Sequence, residues 1–304
     1  MTVALTTDFA GIELRNPVIL ASGTCGYGEE LEPFLDLTRI GGIVTKTITP
    51  EPRPGARPTR VFETAGGMLN AIALQNPGLD GFVRDKWPYL ATLDTRVIVN
   101  IAAPTPREHA EMAAALSELG GVAALEVNIS SPNMRDGGML FGCNPKASAE
   151  VISAVRGATH LPVIAKLTPN VTDITAVAKA VEDAGADGLA LINTLLGMAI
   201  DLDRRRPVLG NVTGGLSGPA IKPVALAMVW KVHRAVSIPL MGMGGIANSR
   251  DALEFMVAGA SAVQVGTATF VVPGTALDIV EGMRTYCDDE EIDNIHSLVG
   301  SLQV

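Results

Sequence analysis

The chain is 304 residues long, 47% hydrophobic, with a mean hydropathy of +0.31 and a formal net charge of −9. That apolar content is enough to bury one large core or two medium ones and excludes a disordered chain. The acidic balance, with basic residues scattered except at Arg204-Arg205-Arg206, argues against a nucleic-acid polyanion as partner, since such binders gather a basic face.

Residues 1–10 lack a basic stretch followed by an apolar core, so no secretory signal is expected. No uninterrupted apolar run reaches the ~18 residues that span a bilayer. Three cysteines, Cys25, Cys143 and Cys287, are too widely spaced for a zinc or iron–sulfur site and suit a reducing compartment. The expectation is a cytoplasmic protein without a metal or membrane insertion.

Short apolar runs recur at residues 17–21, 42–47, 96–101, 123–129, 162–167, 187–192, 239–243 and 261–265. Between them lie amphipathic helical patterns such as Met112, Leu116, Leu119 and Ile174, Val177, Ala178, Val181, with apolar positions three and four apart. Strands apolar throughout, alternating with such helices, imply a parallel sheet covered by helices. Eight βα units fit a closed (β/α)8 TIM barrel forming one domain over residues 1–304, rather than a doubly wound open sheet. Three spacers, 48–76, 130–145 and 193–219, exceed what a connection needs. All follow strands, which places them as loop insertions at the carboxyl-end face, where barrels build active sites.

The first spacer carries T-P-E-P-R-P-G-A-R-P-T-R, whose prolines suit an extended excursion, followed by Gly66-Gly67-Met68-Leu69-Asn70. The second begins at Asn128 in N-I-S-S-P-N-M-R-D-G-G-M-L-F-G. Asn128 offers an amide to a planar polar ligand, Ser131 an oxygen for proton transfer, and Gly137-Gly138 a hinge. The alternative is an ordinary turn in which Ser130, Ser131 and Asn133 satisfy local backbone groups.

Gly242-Met243-Gly244-Gly245-Ile246-Ala247 has the pattern G-x-G-x-x-A. It follows the seventh strand, and the next strand ends in Gly266-Thr267 rather than in the acidic residue a ribose needs, so the dinucleotide reading fails. Glycines after strands seven and eight fit instead a barrel phosphate site, with Gly214-Gly215-Leu216-Ser217-Gly218 adding N–H donors; tight turns are the plainer alternative. A phosphorylated cofactor is the expectation.

Lys46 and Lys166 close the second and fifth strands. A lysine in an apolar strand needs an anionic partner, and with no carboxylate apparent nearby a bound ligand is the expected counter-charge. Asn100, Asn128 and Asn193 end strands three, four and six, and three amides aimed at one mouth form a binding constellation. Paired carboxylates, a Ser/His/Asp or Cys/His set and a clustered metal site are missing. His109, His160, His233 and His296 are read as structural or solvated, on helices or in a tail.

Taken together, A-S-G-T-C-G-Y-G at 21–28, G-G-M-L-N-A-I-A-L-Q-N-P-G at 66–78, N-I-S-S-P-N at 128–133, I-N-T at 192–194, T-G-G-L-S-G-P-A at 213–220 and G-M-G-G at 242–245 make the chain resemble dihydroorotate dehydrogenases, specifically the class 1B catalytic subunit, from about residue 14 to 282. The resemblance implies FMN held by Ser22, Lys46, Thr47, Asn100, Asn128, Lys166, Ile192, Gly218, Gly244, Gly245, Gly266 and Thr267. It implies substrate against Lys46, Asn70, Ala71, Ile72, Ala73, Leu74, Asn128, Asn193 and Thr194. The implied reaction removes a proton from C5 of dihydroorotate through Ser131 and passes hydride from C6 to flavin N5, in de novo pyrimidine biosynthesis. Lys166 would stabilise charge near N1 and O2 of the reduced ring.

Class 1 enzymes usually carry Cys where this chain has Ser131; serine there is typical of membrane-associated, quinone-using class 2 enzymes, whose amino-terminal amphipathic extension this sequence does not show. The chain has no FAD or iron–sulfur motif. Class 1B membership therefore implies a homodimer core and a separate subunit carrying FAD and a [2Fe–2S] cluster, with electrons passing to NAD; fumarate or quinone stays open as acceptor. Cys143 is not read as a displaced base. Rival readings are another flavin-dependent reduced-pyrimidine oxidoreductase, such as a dihydropyrimidine dehydrogenase module or a tRNA dihydrouridine synthase, or a non-catalytic flavin-binding scaffold subunit.

Overall fold

The structure, a computed structural model, describes residues 4–130 and 141–304. Eight parallel strands close into a barrel in chain order: β1 (Val18–Leu20), β2 (Gly42–Val44), β3 (Arg96–Ile101), β4 (Val122–Asn128), β5 (Val163–Lys166), β6 (Gly188–Leu191), β7 (Leu240–Met243) and β8 (Ala260–Val265), with β8 returning to β1. Each coincides with one of the eight apolar runs, because a strand buried on both faces has to be apolar along its length.

Alternate residues serve different cores. Outward-facing Val97, Val99 and Ile101 of β3, or Leu125 and Val127 of β4, pack with helical residues such as Met112, Leu116, Val151 and Val177. Inward-facing Ile19, Val44, Ile98, Ala124, Ile164, Ala190, Met241 and Ala262 fill the barrel, one from each strand.

Phe9, Ile12 and Leu14 join that interior cluster from an antiparallel hairpin, Thr7–Phe9 paired with Ile12–Leu14, which the sequence reading had not anticipated. Its two-residue turn, Ala10 and Gly11, has positive φ at both positions (55° and 78°), the geometry that joins tightly twisted strands. Phe9 lies against Gly188, the first residue of β6, where an added Cβ would come within 2.8 Å of the ring. The hairpin thus seals the amino end of the barrel, and only the carboxyl end is open.

Two of the long spacers meet there. Strands Val61–Thr64 and Gly67–Asn70 from the first pair with Leu195–Met198 and Thr213–Ser217 from the third in a four-stranded antiparallel sheet. The extended excursion expected of the proline-rich segment is therefore tethered, because Gly67–Asn70 forms a ladder with a segment about 145 residues away.

The connection after β3 shows how a polar group supports this frame. Thr105 caps the helix Pro106–Ser117, its side chain accepting from Glu108 N. His109, 1% exposed, donates from Nδ1 to Thr105 O (2.9 Å) and accepts at Nε2 from Ala103 N (3.0 Å). Both roles require the neutral ring, and burial pulls its pKa down to about 4. The unfolded chain, with a histidine pKa near 6.5, binds the extra proton first. This contribution to stability is therefore complete above pH ~6.5 and is lost as pH falls toward 4. Between pH 8 and pH 5 the loss is about 2 kcal/mol. Urea unfolding at the two pH values should show it, and His109→Gln should shrink the difference. His160, by contrast, lies in the turn before β5 rather than on a helix.

Candidate active site

Two residues beyond the apolar tier, on five of the same strands or just past their ends, the inward positions become polar: Val44 is followed by Lys46, Ile98 by Asn100, Ala124 by Glu126, Ile164 by Lys166 and Ala262 by Gln264. Period-two alternation puts each on the barrel side. Glu126, wholly buried, is the hub. Lys166 Nζ donates to its Oε1 at 3.1 Å, Asn100 Nδ2 to the same oxygen at 2.5 Å, and Gln264 Nε2 to Oε2 at 2.5 Å. The expectation that a ligand supplies the counter-charge of Lys166 is thus corrected: a neighbouring strand supplies it. That carboxylate lies four positions along β4 from Val122, on a strand that carries neither lysine.

Lys46 differs. Among the described residues it has no anionic or hydrogen-bond partner, and burial, then the nearby Lys166 ammonium, hold its pKa below the ordinary lysine value. It is the cation that a ligand has to satisfy.

Above this tier, Ser130 ties two strand ends together. Its Oγ donates to Asn128 Oδ1 (2.8 Å) and accepts from Asn193 Nδ2 (2.6 Å), while Thr194 N donates to Asn193 Oδ1 (2.8 Å). Asn128 Oδ1 is committed to Ser130, leaving its amide N–H groups to face a ligand. Ser130, read from sequence as a turn residue, is therefore a brace of the site.

The loop after Asn70 is braced by Asn76, which sequence reasoning also missed. Its Oδ1 accepts from Thr49 N and Gly78 N, and its Nδ2 donates to Thr49 Oγ1 and Leu74 O. These bonds hold Ala73 and Leu74 at φ of 58° and 55°, a left-handed pair that non-glycine residues adopt only under constraint.

On the opposite side, Gly244 and Gly245 after β7 face Gly218 and Thr267. A Cβ at Gly245 would lie 2.8 Å from Lys222 Cβ and 2.9 Å from Gly218 O, so the position admits only glycine and leaves bare backbone. Lys222 does not serve as a free cation there, being paired with Asp251 (2.6 Å) and Glu254 (2.9 Å). Asp251 in turn accepts from Ala247 N, which anchors the glycine turn.

These walls enclose a cavity of about 930 Å³. It is lined by Ser22, Lys46, Thr47, Asn128, Lys166, Ile192, Gly218, Gly244, Gly245, Gly266 and Thr267, and by Asn70, Ile72, Ala73, Leu74, Asn193 and Thr194. Asn100 does not line the cavity; wholly buried, it bonds Glu126, which in turn holds the lining residues Lys166 and Gln264. Ala71 is turned away, 1% exposed and packed with Leu69 and Leu209, as strand alternation after Asn70 demands. Ser131, Gly137 and Gly138 lie outside the described residues. Gln264 also lines the cavity and was not anticipated. Its signal was its position two residues before Gly266, a long polar side chain on a strand whose other residues are apolar apart from Ser261.

Among the described residues, no cluster of three or more His, Cys, Asp or Glu is placed to hold a metal ion. FMN fits this donor set on three counts. The glycine cradle exposes backbone N–H groups for a phosphate. The Gln264 Oε1 acceptor is buried without a partner and suits an imide N–H. The volume lies within the range of cofactor pockets.

A closed parallel barrel with one sealed end, a glycine cradle after its last two strands and a cationic, amide-lined mouth defines a cofactor-dependent barrel oxidoreductase. The chain belongs to the dihydroorotate dehydrogenase family, whose model matches residues 4–286. It is 55% identical over 299 residues to the dihydroorotate dehydrogenase B (NAD(+)), catalytic subunit, of Pelobacter propionicus, covering 98% of each chain. The subunits of the same description from Geobacter sp. (strain M21) and Trichlorobacter lovleyi are 57% and 55% identical, covering 99% and 100% of this chain and 98% and 100% of theirs. Its reaction is the FMN-dependent oxidation of dihydroorotate to orotate, a step acting on a CH–CH bond.

Proposed function

We propose that Ser131 removes the C5 proton of dihydroorotate, that Lys46 binds the substrate's carboxylate, and that electrons leave through a separate subunit carrying FAD and an iron–sulfur cluster toward NAD. The observation that carries this reading is the Lys46 ammonium, without a partner among the described residues, in a cavity that also presents the amides of Asn128, Asn193 and Asn70. An anionic ring with imide edges satisfies all of them. Ser131 follows directly on Ser130, whose hydroxyl is fixed between Asn128 and Asn193, so the base stands next to a braced residue. When bound, FMN supplies the hydride acceptor. Lys166, held by Glu126, places positive charge at the floor of the cavity, where the reduced ring needs it.

The relatives are described as catalytic subunits, which supports a partner. Phe270, Val271 and Val272 support it further: they border the cavity yet stand exposed, Val271 by 80%. An apolar strip at the cavity rim suits a protein surface that has to approach the cofactor. Leu196, Met198, Ile200 and Leu202 form a second exposed apolar row on the excursion sheet and the segment after it, and support a homodimer core.

Anaerobic mixing with dihydroorotate should bleach the bound flavin, and purification with natural partners should yield an iron–sulfur flavoprotein. Val271→Glu should cut NAD-linked turnover of that complex about tenfold or more, while flavin bleaching changes far less. Equal losses in both assays would remove the rim from the electron path, and a preparation that dihydroorotate leaves yellow would end the reading.

A further inference from the structure

A carboxylate without solvent contact is retained only when its lone pairs are filled, and Glu126 fills them with one ammonium and two amides drawn from three other strands. Carboxylate oxygens only accept. Asn100 and Gln264 must therefore turn their NH2 groups toward Glu126 and their carbonyl oxygens away. Those oxygens, Asn100 Oδ1 and Gln264 Oε1, are buried and find no partner among the described residues, and Gln264 borders the cavity. Glu126 also offsets one of the two ammonium groups in this tier, so that Lys46, Lys166 and Glu126 together carry a single positive charge rather than two.

We propose that Glu126 is a positioning residue for the flavin. Its charge, offsetting the ammonium charge of this tier, sets how much more tightly reduced flavin is held than oxidised flavin, and its oxygens aim the Gln264 carbonyl at an N–H of the ring. The inference rests on FMN occupying the cavity, as proposed above. With both ammonium groups uncompensated, the floor would favour the electron-rich reduced ring and oppose the passage of electrons onward. The carboxylate moderates that preference without touching substrate.

Glu126→Gln is the test, because it keeps the shape and removes the charge. The preference for reduced over oxidised flavin should rise at least tenfold, which raises the two-electron midpoint potential by about 30 mV or more, read by equilibrium reduction against a reference dye. The flavin-free variant should also bind oxidised FMN severalfold more weakly, since a glutamine cannot accept from all three donors. A variant that melts earlier yet keeps the wild-type potential would show Glu126 to be merely structural and would overturn the proposal. If Glu126→Gln does not fold, the comparison becomes Lys166→Gln against the Glu126→Gln/Lys166→Gln double variant, which leaves no buried cation stranded. The double variant should again have the higher potential, and equal potentials would overturn the assignment. Failure of the wild-type protein to take up FMN would instead overturn the flavin reading itself.

Discussion

Ser131→Ala should lower the rate at which dihydroorotate bleaches the bound flavin by about 10²- to 10⁴-fold, with flavin content near that of the wild-type protein. That range is what a positioned proton acceptor contributes, and no histidine among the described residues lines the cavity to take its place. An alkanol is not ionised near neutrality, so Ser131 has to pass its proton to water or a neighbour, and activity should climb into the alkaline range. Ser131→Cys supplies a group with a reference pKa of about 8.5 and should move the rising limb to lower pH. Stopped-flow bleaching across pH measures both effects. A flat profile through neutrality for the wild-type protein would contradict the assignment of Ser131 as base.

Lys46→Met has two opposite effects. Orotate binding weakens by about 2–5 kcal/mol, because the ligand's carboxylate is left buried without its cation. The flavin-free protein should become more stable, because a half-buried ammonium with no counter-ion among the described residues is replaced by an apolar chain of similar length. The first is read by orotate titration and the second by thermal or urea unfolding. A variant destabilised in the flavin-free state would show that Lys46 is paired after all. The depressed pKa of Lys46 adds a pH signature. Burial and the Lys166 charge make it lose its proton more readily than an ordinary lysine, so orotate affinity should fall on the alkaline side at a lower pH than a free lysine would allow. Together with the rising limb from Ser131, this confines activity to a bounded alkaline window.

The barrel was legible because burial on both faces forces each of its strands to be apolar, and that requirement is local. Lys46, Lys166, Asn128 and Asn193 stood out for the same reason, as polar residues ending apolar runs. Glu126 and Gln264 were just as visible as exceptions within their strands. They were passed over because neither ends its run in a turn motif. Asn76 and Ser130 resembled ordinary turn residues, and only their hydrogen bonds to distant backbone and side-chain groups distinguish them.

The excursion sheet was out of reach for a different reason. Its strands are short, three of the four carry glycine, and the ladder that joins its two halves pairs segments more than a hundred residues apart, which their own composition does not reveal.

By itself, then, the order of residues determined the number of barrel strands, the end of the barrel that opens, and the types of group gathered at its rim, since each follows from periodicity and from where apolar runs stop. Which charges meet was decided only by the closed barrel. Lys166 finds Glu126 and Lys46 does not, because contact between side chains some 40 residues apart depends on the register of neighbouring strands and on which of two lysines lies within reach of one carboxylate.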